Sequence, residues 1–166
     1  MGGNTVDEVG EFPWQMSLAT CWMGLYYQHK CGAALVSTRW AVTAAHCTID
    51  SDSVDPGLFL LGGFLRIKNT EAAQIRTVAR IINHENFVRH LYENDISLLL
   101  MSHPIVYSLK LLPICLPPPQ IQVGKDTYLG QKARLSGWGR KWNNGPLAQQ
   151  LLNVHLPIIS NDECMR

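Results

Sequence analysis

The sequence predicts an all-β fold, and three observations carry the prediction. Short stretches rich in apolar and β-branched residues recur between turn residues. No segment shows the sustained apolar spacing of a long helix. One proline-rich segment late in the chain is unsuited to a central strand and separates the strands into two groups.

The expected strands follow in order. Residues 14–18 open the series, then 33–36 and 40–42, parted by Ser37-Thr38-Arg39. Residues 58–61 run into Gly62-Gly63, and 75–82, 96–100 and 151–159 complete the set. Between the last two lies 107–124, which carries Pro113 and then Pro117, Pro118 and Pro119 in a row. Proline removes an amide donor and fixes φ, so this reads as a linker between a first β unit, residues 10–105, and a short remainder of roughly 40 residues, near the lower size limit for independent folding. At the end, Ser160-Asn161-Asp162-Glu163 fits a helix capping box. The sequence stops at Arg166, inside the first turn, and a helix that short does not repay its nucleation, so the second unit reads as truncated.

Composition narrows the function classes. The chain has 166 residues, 46% hydrophobic and 16% charged, enough to bury a core. Its formal net charge of +1, from 14 Lys and Arg against 13 Asp and Glu, without a block of one sign, gives nucleic acid no electrostatic footing. No apolar run approaches the roughly 20 residues of a membrane helix, and the opening Met1-Gly2-Gly3-Asn4 leads into no signal-like apolar segment. The five cysteines, Cys21, Cys31, Cys47, Cys115 and Cys164, are odd in number, so at least one lacks an intrachain disulfide partner. No Cys-x-x-Cys pair occurs, and neither a metal nor another cofactor is expected.

Three words carry chemistry: Trp40-Ala41-Val42-Thr43-Ala44-Ala45-His46-Cys47, Asn94-Asp95-Ile96-Ser97-Leu98-Leu99 and Ser136-Gly137-Trp138-Gly139-Arg140. Each alone has a plain structural reading. His46 would be a packed side chain after a strand, Asp95 a turn residue bonded to its own backbone, and Gly137-Trp138-Gly139 an aromatic between turns. Together and in this order they resemble the trypsin/chymotrypsin-like serine endopeptidases. Phe12-Pro13-Trp14-Gln15-Met16-Ser17-Leu18, Cys31-Gly32-Ala33-Ala34-Leu35-Val36, Ile82-Asn83-His84 and Pro113-Ile114-Cys115-Leu116-Pro117 extend the likeness along most of the chain.

The resemblance implies a double antiparallel β-barrel. Residues 1–105 would form a complete first barrel carrying His46 and Asp95, residues 106–125 an interbarrel linker, and 126–166 the opening of a second, truncated barrel. It implies that His46 is the general base, that Asp95 orients it, and that Cys31 pairs with Cys47. The nucleophile should follow Asp95, as in the family's chain order. Yet none of Ser97, Ser102, Ser108, Ser136 and Ser160 lies in the family's Gly-Asp-Ser-Gly-Gly word. Without that serine and its oxyanion hole the chain alone is expected to be inert. Met1-Gly2-Gly3-Asn4 stands where the family has an Ile-Val-Gly-Gly start, and Cys115 and Cys164 match cysteines whose partners lie outside this sequence. Protein or peptide substrates and a secreted location come with the family, and no membrane span is expected.

An alternative reading is a noncatalytic, protease-like binding protein. Residues 20–30 would then form a lengthened loop presenting Trp22, Tyr26 and Tyr27 to a partner, unless those rings merely cover the barrel. In either reading Leu152, Val154 and Leu156 should leave an uncovered apolar face.

Overall fold

The computed structural model describes residues 3–22, 26–49, 57–69, 73–117 and 128–164. The chain is nearly all-β, as its sequence predicts: β1 Asn4–Thr5, β2 Gln15–Trp22, β3 Tyr26–Leu35, β4 Trp40–Thr43, β5 Leu58–Gly62, β6 Gln74–Asn83, β7 Ser97–Met101, β8 Lys132–Gly137 and β9 Leu152–Pro157. A 3₁₀ turn covers Ala45–Cys47, and a single helical turn, α1, covers Asn161–Cys164. Its Ser160 hydroxyl accepts from the Glu163 amide at 3.1 Å, the cap that the sequence announces.

Strands β2 to β7 close an antiparallel barrel in the order β2-β3-β4-β7-β6-β5. Closure removes every strand edge, and it is helped by bulges at Leu18/Ala19 and Val78/Arg80 that sharpen the local twist. Alternation along the strands then sorts side chains into two cores. Met16, Leu18, Leu35, Leu58, Leu60, Leu99 and Met101 fill the barrel interior. Leu111, from the segment after β7, closes its end, and Gly62 makes room for it: a Cβ there would lie 2.6 Å from the Leu111 side chain.

The alternate positions, Ala19 and Leu61, face outward into a second core with Val6, Phe12, Phe64, Trp138 and Leu151. Above it lies a second, partial sheet in the order β1-β9-β8. Backbone bonds tie that sheet to the barrel, Leu151 N–H to the Leu65 carbonyl at 2.8 Å and Ile67 N–H to Gln149 at 3.1 Å. Trp138 is 1% exposed, stacks on Phe64 at 5.0 Å and donates its indole N–H to the Leu65 carbonyl at 2.8 Å. Arg134 of β8 lies over the Phe12 ring and pairs with Glu11.

Besides the two-residue β1, which was not expected, the structure departs from the sequence reading in two places. Residues 20–22 and 26–30 are the arms of the β2–β3 hairpin, in register from Leu18↔Cys31 to Trp22↔Tyr26, whereas a lengthened loop over residues 20–30 was expected. Polar Gln28, His29 and Lys30 break the apolar pattern, but the ladder bonds are made by backbone and do not need it. Strand β8 was also not anticipated, because its residues are largely exposed and so show no apolar alternation. The described part of the proline-rich segment, through Pro117, contains no strand; Pro118 and Pro119 lie outside the described residues, as do the side chain of Trp22 and residues 23–25. Among the described residues no helix is long and apolar enough to cross a membrane.

Candidate active site

β4 and β7 are antiparallel neighbours, with Thr43 opposite Ser97. His46 lies three residues beyond Thr43 and Asp95 two residues before Ser97, so the register delivers both to the same end of the pair. The turn that carries His46 is anchored on both sides of it. Ala45 and Cys47 are buried, Cys47 is bonded to Cys31 of β3, and the Thr48 hydroxyl donates to the Ala45 carbonyl at 2.9 Å.

Asp95 spends both carboxylate oxygens on one residue. Oδ2 lies 2.6 Å from His46 Nδ1, and Oδ1 accepts the His46 backbone N–H at 2.8 Å. An ionised carboxylate only accepts, so Nδ1 carries the proton and the ring's basic nitrogen is Nε2. Partial burial pushes the Asp95 carboxyl upward, but the ring and backbone bonds from His46, its charge and the Ala45 amide outweigh that push and hold the group below its ordinary value. The His46 side chain is 47% exposed and Asp95 19%, so a reactant can reach the ring while its partner stays sheltered.

The loop before β7 fixes the carboxylate from behind. Tyr92 and Asn94 both take left-handed backbone, at φ 54° and 53°. The Asn94 side chain donates to the Asn86 carbonyl at 2.9 Å, and a Val88–Glu93 bridge pinches the loop. Tyr92 meets the His46 ring edge-on, centroids 5.5 Å apart. Nothing in spacing or composition marked Tyr92 as part of the site; only the φ > 0 preference of Asn94 two residues later hints at the turn that aims it.

The five serines beyond Asp95 all bond elsewhere. Ser97 is buried and donates to the Ile82 carbonyl, Ser102 meets Thr77 and His103, Ser108 accepts from the Lys110 amide, Ser136 donates to Gln15, and Ser160 caps α1. Among the described residues a further serine–histidine pair is present, Ser17 Oγ to His29 Nδ1 at 2.6 Å, with the ring packed edge-on against Trp138. Cys31, His46 and Cys47 also place ligand atoms within 4.8 Å of one another, yet both sulfurs are committed to the disulfide and only one nitrogen is left for a cation.

The arrangement fixes the ring's orientation through Nδ1 and sets Nε2 3.4 Å from Cys47 Sγ on a half-exposed side chain, where a basic nitrogen can exchange a proton with an approaching hydroxyl. Comparison with known proteins gives the chain's family. The family model described as Trypsin matches residues 1–166. The chain is 35% identical over 164 residues to Trypsin-1 of Astacus astacus, an alignment covering 98% of this chain and 66% of that protein. It is 36% identical over 162 residues to Transmembrane protease serine 11G of Mus musculus, covering 98% and 36%. With Serine protease filzig of Drosophila melanogaster the identity is 32% over 166 residues, covering 98% and 9%. The chain therefore spans less of each relative than that relative spans of it.

Proposed function

Because this chain belongs to the trypsin family of serine proteases, we propose that His46 and Asp95 form the general-base pair of an endopeptidase that cuts protein or peptide substrates. The observation that carries the reading is the double bond of Asp95 to His46, through ring and backbone at once. In the proposed reaction Nε2 takes the proton of a serine hydroxyl as that oxygen attacks the peptide carbonyl. The imidazolium so formed is stabilised by Asp95, and it passes the proton to the departing amine. A serine in the family's Gly-Asp-Ser-Gly-Gly word is not among these 166 residues, so the activity belongs to a polypeptide that supplies one, and the 166 residues alone are inert. The Cys31–Cys47 bond supports a secreted, oxidising location, since such bonds persist where thiols are not kept reduced.

The proposal is tested with a fluorophosphonate probe and a peptide ester, applied to the 166-residue chain and to a longer polypeptide in which it is extended by a trypsin-family C-terminal segment containing the serine word. The short chain should be neither labelled nor active. The longer one should be labelled at its serine, with His46→Ala abolishing the labelling and Asp95→Asn slowing it by about 10⁴, the size known for the family's own aspartate. Labelling of the short chain, or indifference of the longer one to His46→Ala, overturns the proposal.

A further inference from the structure

The disulfide that anchors the His46 turn masks a set of metal donors. Cys31 of β3 and His46 and Cys47 of the turn after β4 bring their ligand atoms within 4.8 Å of one another. His46 Nε2 lies 3.4 Å from Cys47 Sγ. In a tetrahedral zinc centre, Zn–S bonds of about 2.3 Å and Zn–N bonds of about 2.0 Å set a nitrogen and a sulfur ligand roughly 3.5 Å apart. The nitrogen and one sulfur thus already stand at the spacing of neighbouring zinc ligands. While the disulfide is closed the sulfurs cannot part around an ion and neither is a thiolate.

The far side of the ring supplies a second, independent feature of a metal site. A ligating histidine commonly gives its other ring N–H to a carboxylate, which fixes the tautomer and makes the ligating nitrogen more basic. Asp95 Oδ2 takes that role at His46 Nδ1, 2.6 Å away. Its other oxygen accepts the His46 backbone N–H, and the Thr48 hydroxyl bonds the Ala45 carbonyl, so two ties that involve no sulfur hold the turn. The His46 side chain is 47% exposed and Cys31 is only partly buried, which opens a path for an ion, whereas Cys47 is 4% exposed and shelters it.

From these donors and the carboxylate behind them, we propose that the chain in its reduced form binds one zinc ion, or a cation of similar softness, through the Cys31 and Cys47 thiolates and His46 Nε2. Two thiolates and an imidazole favour such a cation over magnesium or calcium, and three protein ligands leave its fourth position open. A reducing dithiol opens the site: it is oxidised to a disulfide, and the two electrons and two protons it gives up turn the Cys31–Cys47 bond into two thiols. Binding the ion releases those two protons, because the thiolate is the ligand. The ion occupies the Nε2 lone pair, so a loaded chain has no basic ring nitrogen to offer a hydroxyl. Binding itself does not depend on the role proposed for His46, and its test reads affinity and stability only.

The test uses the 166-residue chain carrying Cys21→Ser, Cys115→Ser and Cys164→Ser, so that only the stapled pair can supply thiolates. The chain is reduced with a dithiol, freed of it, and titrated with zinc ion or with cobalt(II) as a coloured substitute. One equivalent of cobalt should bind with thiolate-to-cobalt charge-transfer bands and the visible bands of a tetrahedral ion, and the oxidised chain should show neither. Asp95→Asn should weaken zinc binding about 10–100-fold, the usual effect of losing such a carboxylate, and His46→Ala should weaken it further. Because opening the disulfide weakens the fold, urea denaturation is the second measurement. An ion that binds only the folded form raises the midpoint, so zinc should move the reduced chain back toward the oxidised one and leave the oxidised one unmoved. If the reduced chain is unfolded without metal, zinc should restore the amide spectrum of β4 and β7. Cobalt bound without thiolate bands, equal zinc binding by the oxidised chain, unchanged affinity in both variants, or binding with no gain in folding each overturn the proposal.

Discussion

A carboxylate that gives one oxygen to a ring and the other to that ring's own backbone fixes both the tautomer and the position of the histidine, which one bond could not do. Asp95 achieves this from only partial shelter, and its lowered pKa keeps it ionised further into acid than an ordinary carboxylate. His29 is the opposite case. Burial pushes its pKa down, because a ring partly buried beside Trp138 loses some of the water that would solvate its charge, while its Nδ1 is held 2.6 Å from Ser17. The unfolded chain then binds a proton more readily than the folded one, with an ordinary value near 6.5 for histidine. Stability therefore rises with pH through this window; it is reduced as pH drops below about 6.5 and levels off once pH passes under the lowered folded value. Urea midpoints measured from pH 7.5 down to 5 should show that decline, and His29→Gln should flatten it. An unchanged slope in the variant would place the proton elsewhere.

At the scale of elements, what could be read in advance was what the core imposes. β4, β5, β6 and β7 lie within a residue or so of their expected spans because their alternation feeds the barrel interior. β8 and the first arm of β3 carry polar residues held by ladder bonds, and those bonds leave no trace in the pattern of side chains. β1 is two residues long, too short for any period to show. The site followed a different rule: His46 and Asp95 were legible as words of a family, but the Tyr92 contact depends on a left-handed loop that no spacing encodes. The staple under His46 gives the element-scale prediction. Cys31 and Cys47 close a span of 16 residues, and replacing both by alanine should lower the unfolding free energy by about 3 kcal/mol, read by urea denaturation. Wild-type chain treated with reductant should match the double variant. The His46 ring resonances should also broaden, since the turn that holds the ring has lost its tie to β3.

Across the whole molecule, two cores of different kind share one set of strands. The barrel core is enclosed on all sides, whereas the second depends on Trp138 filling the space between Phe64 and the partial sheet. Of the three residues expected to form an uncovered apolar face, Leu156 is 46% exposed while Leu152 and Val154 are only partly so, and Leu135, not anticipated, is 59% exposed. Trp138→Ala removes the stack and the bond to Leu65 together and should cost about 3–5 kcal/mol, with Trp138→Phe recovering part of the loss by keeping the ring. The informative readout is amide exchange. Because Trp138 is absent from the barrel interior, protection should collapse in β1, β8 and β9 while β4 and β7 remain protected, and the His46–Asp95 geometry should survive with them. If β4 and β7 open in step with β9, the two cores are one cooperative unit, and the partial sheet holds His46 in place as firmly as the disulfide does.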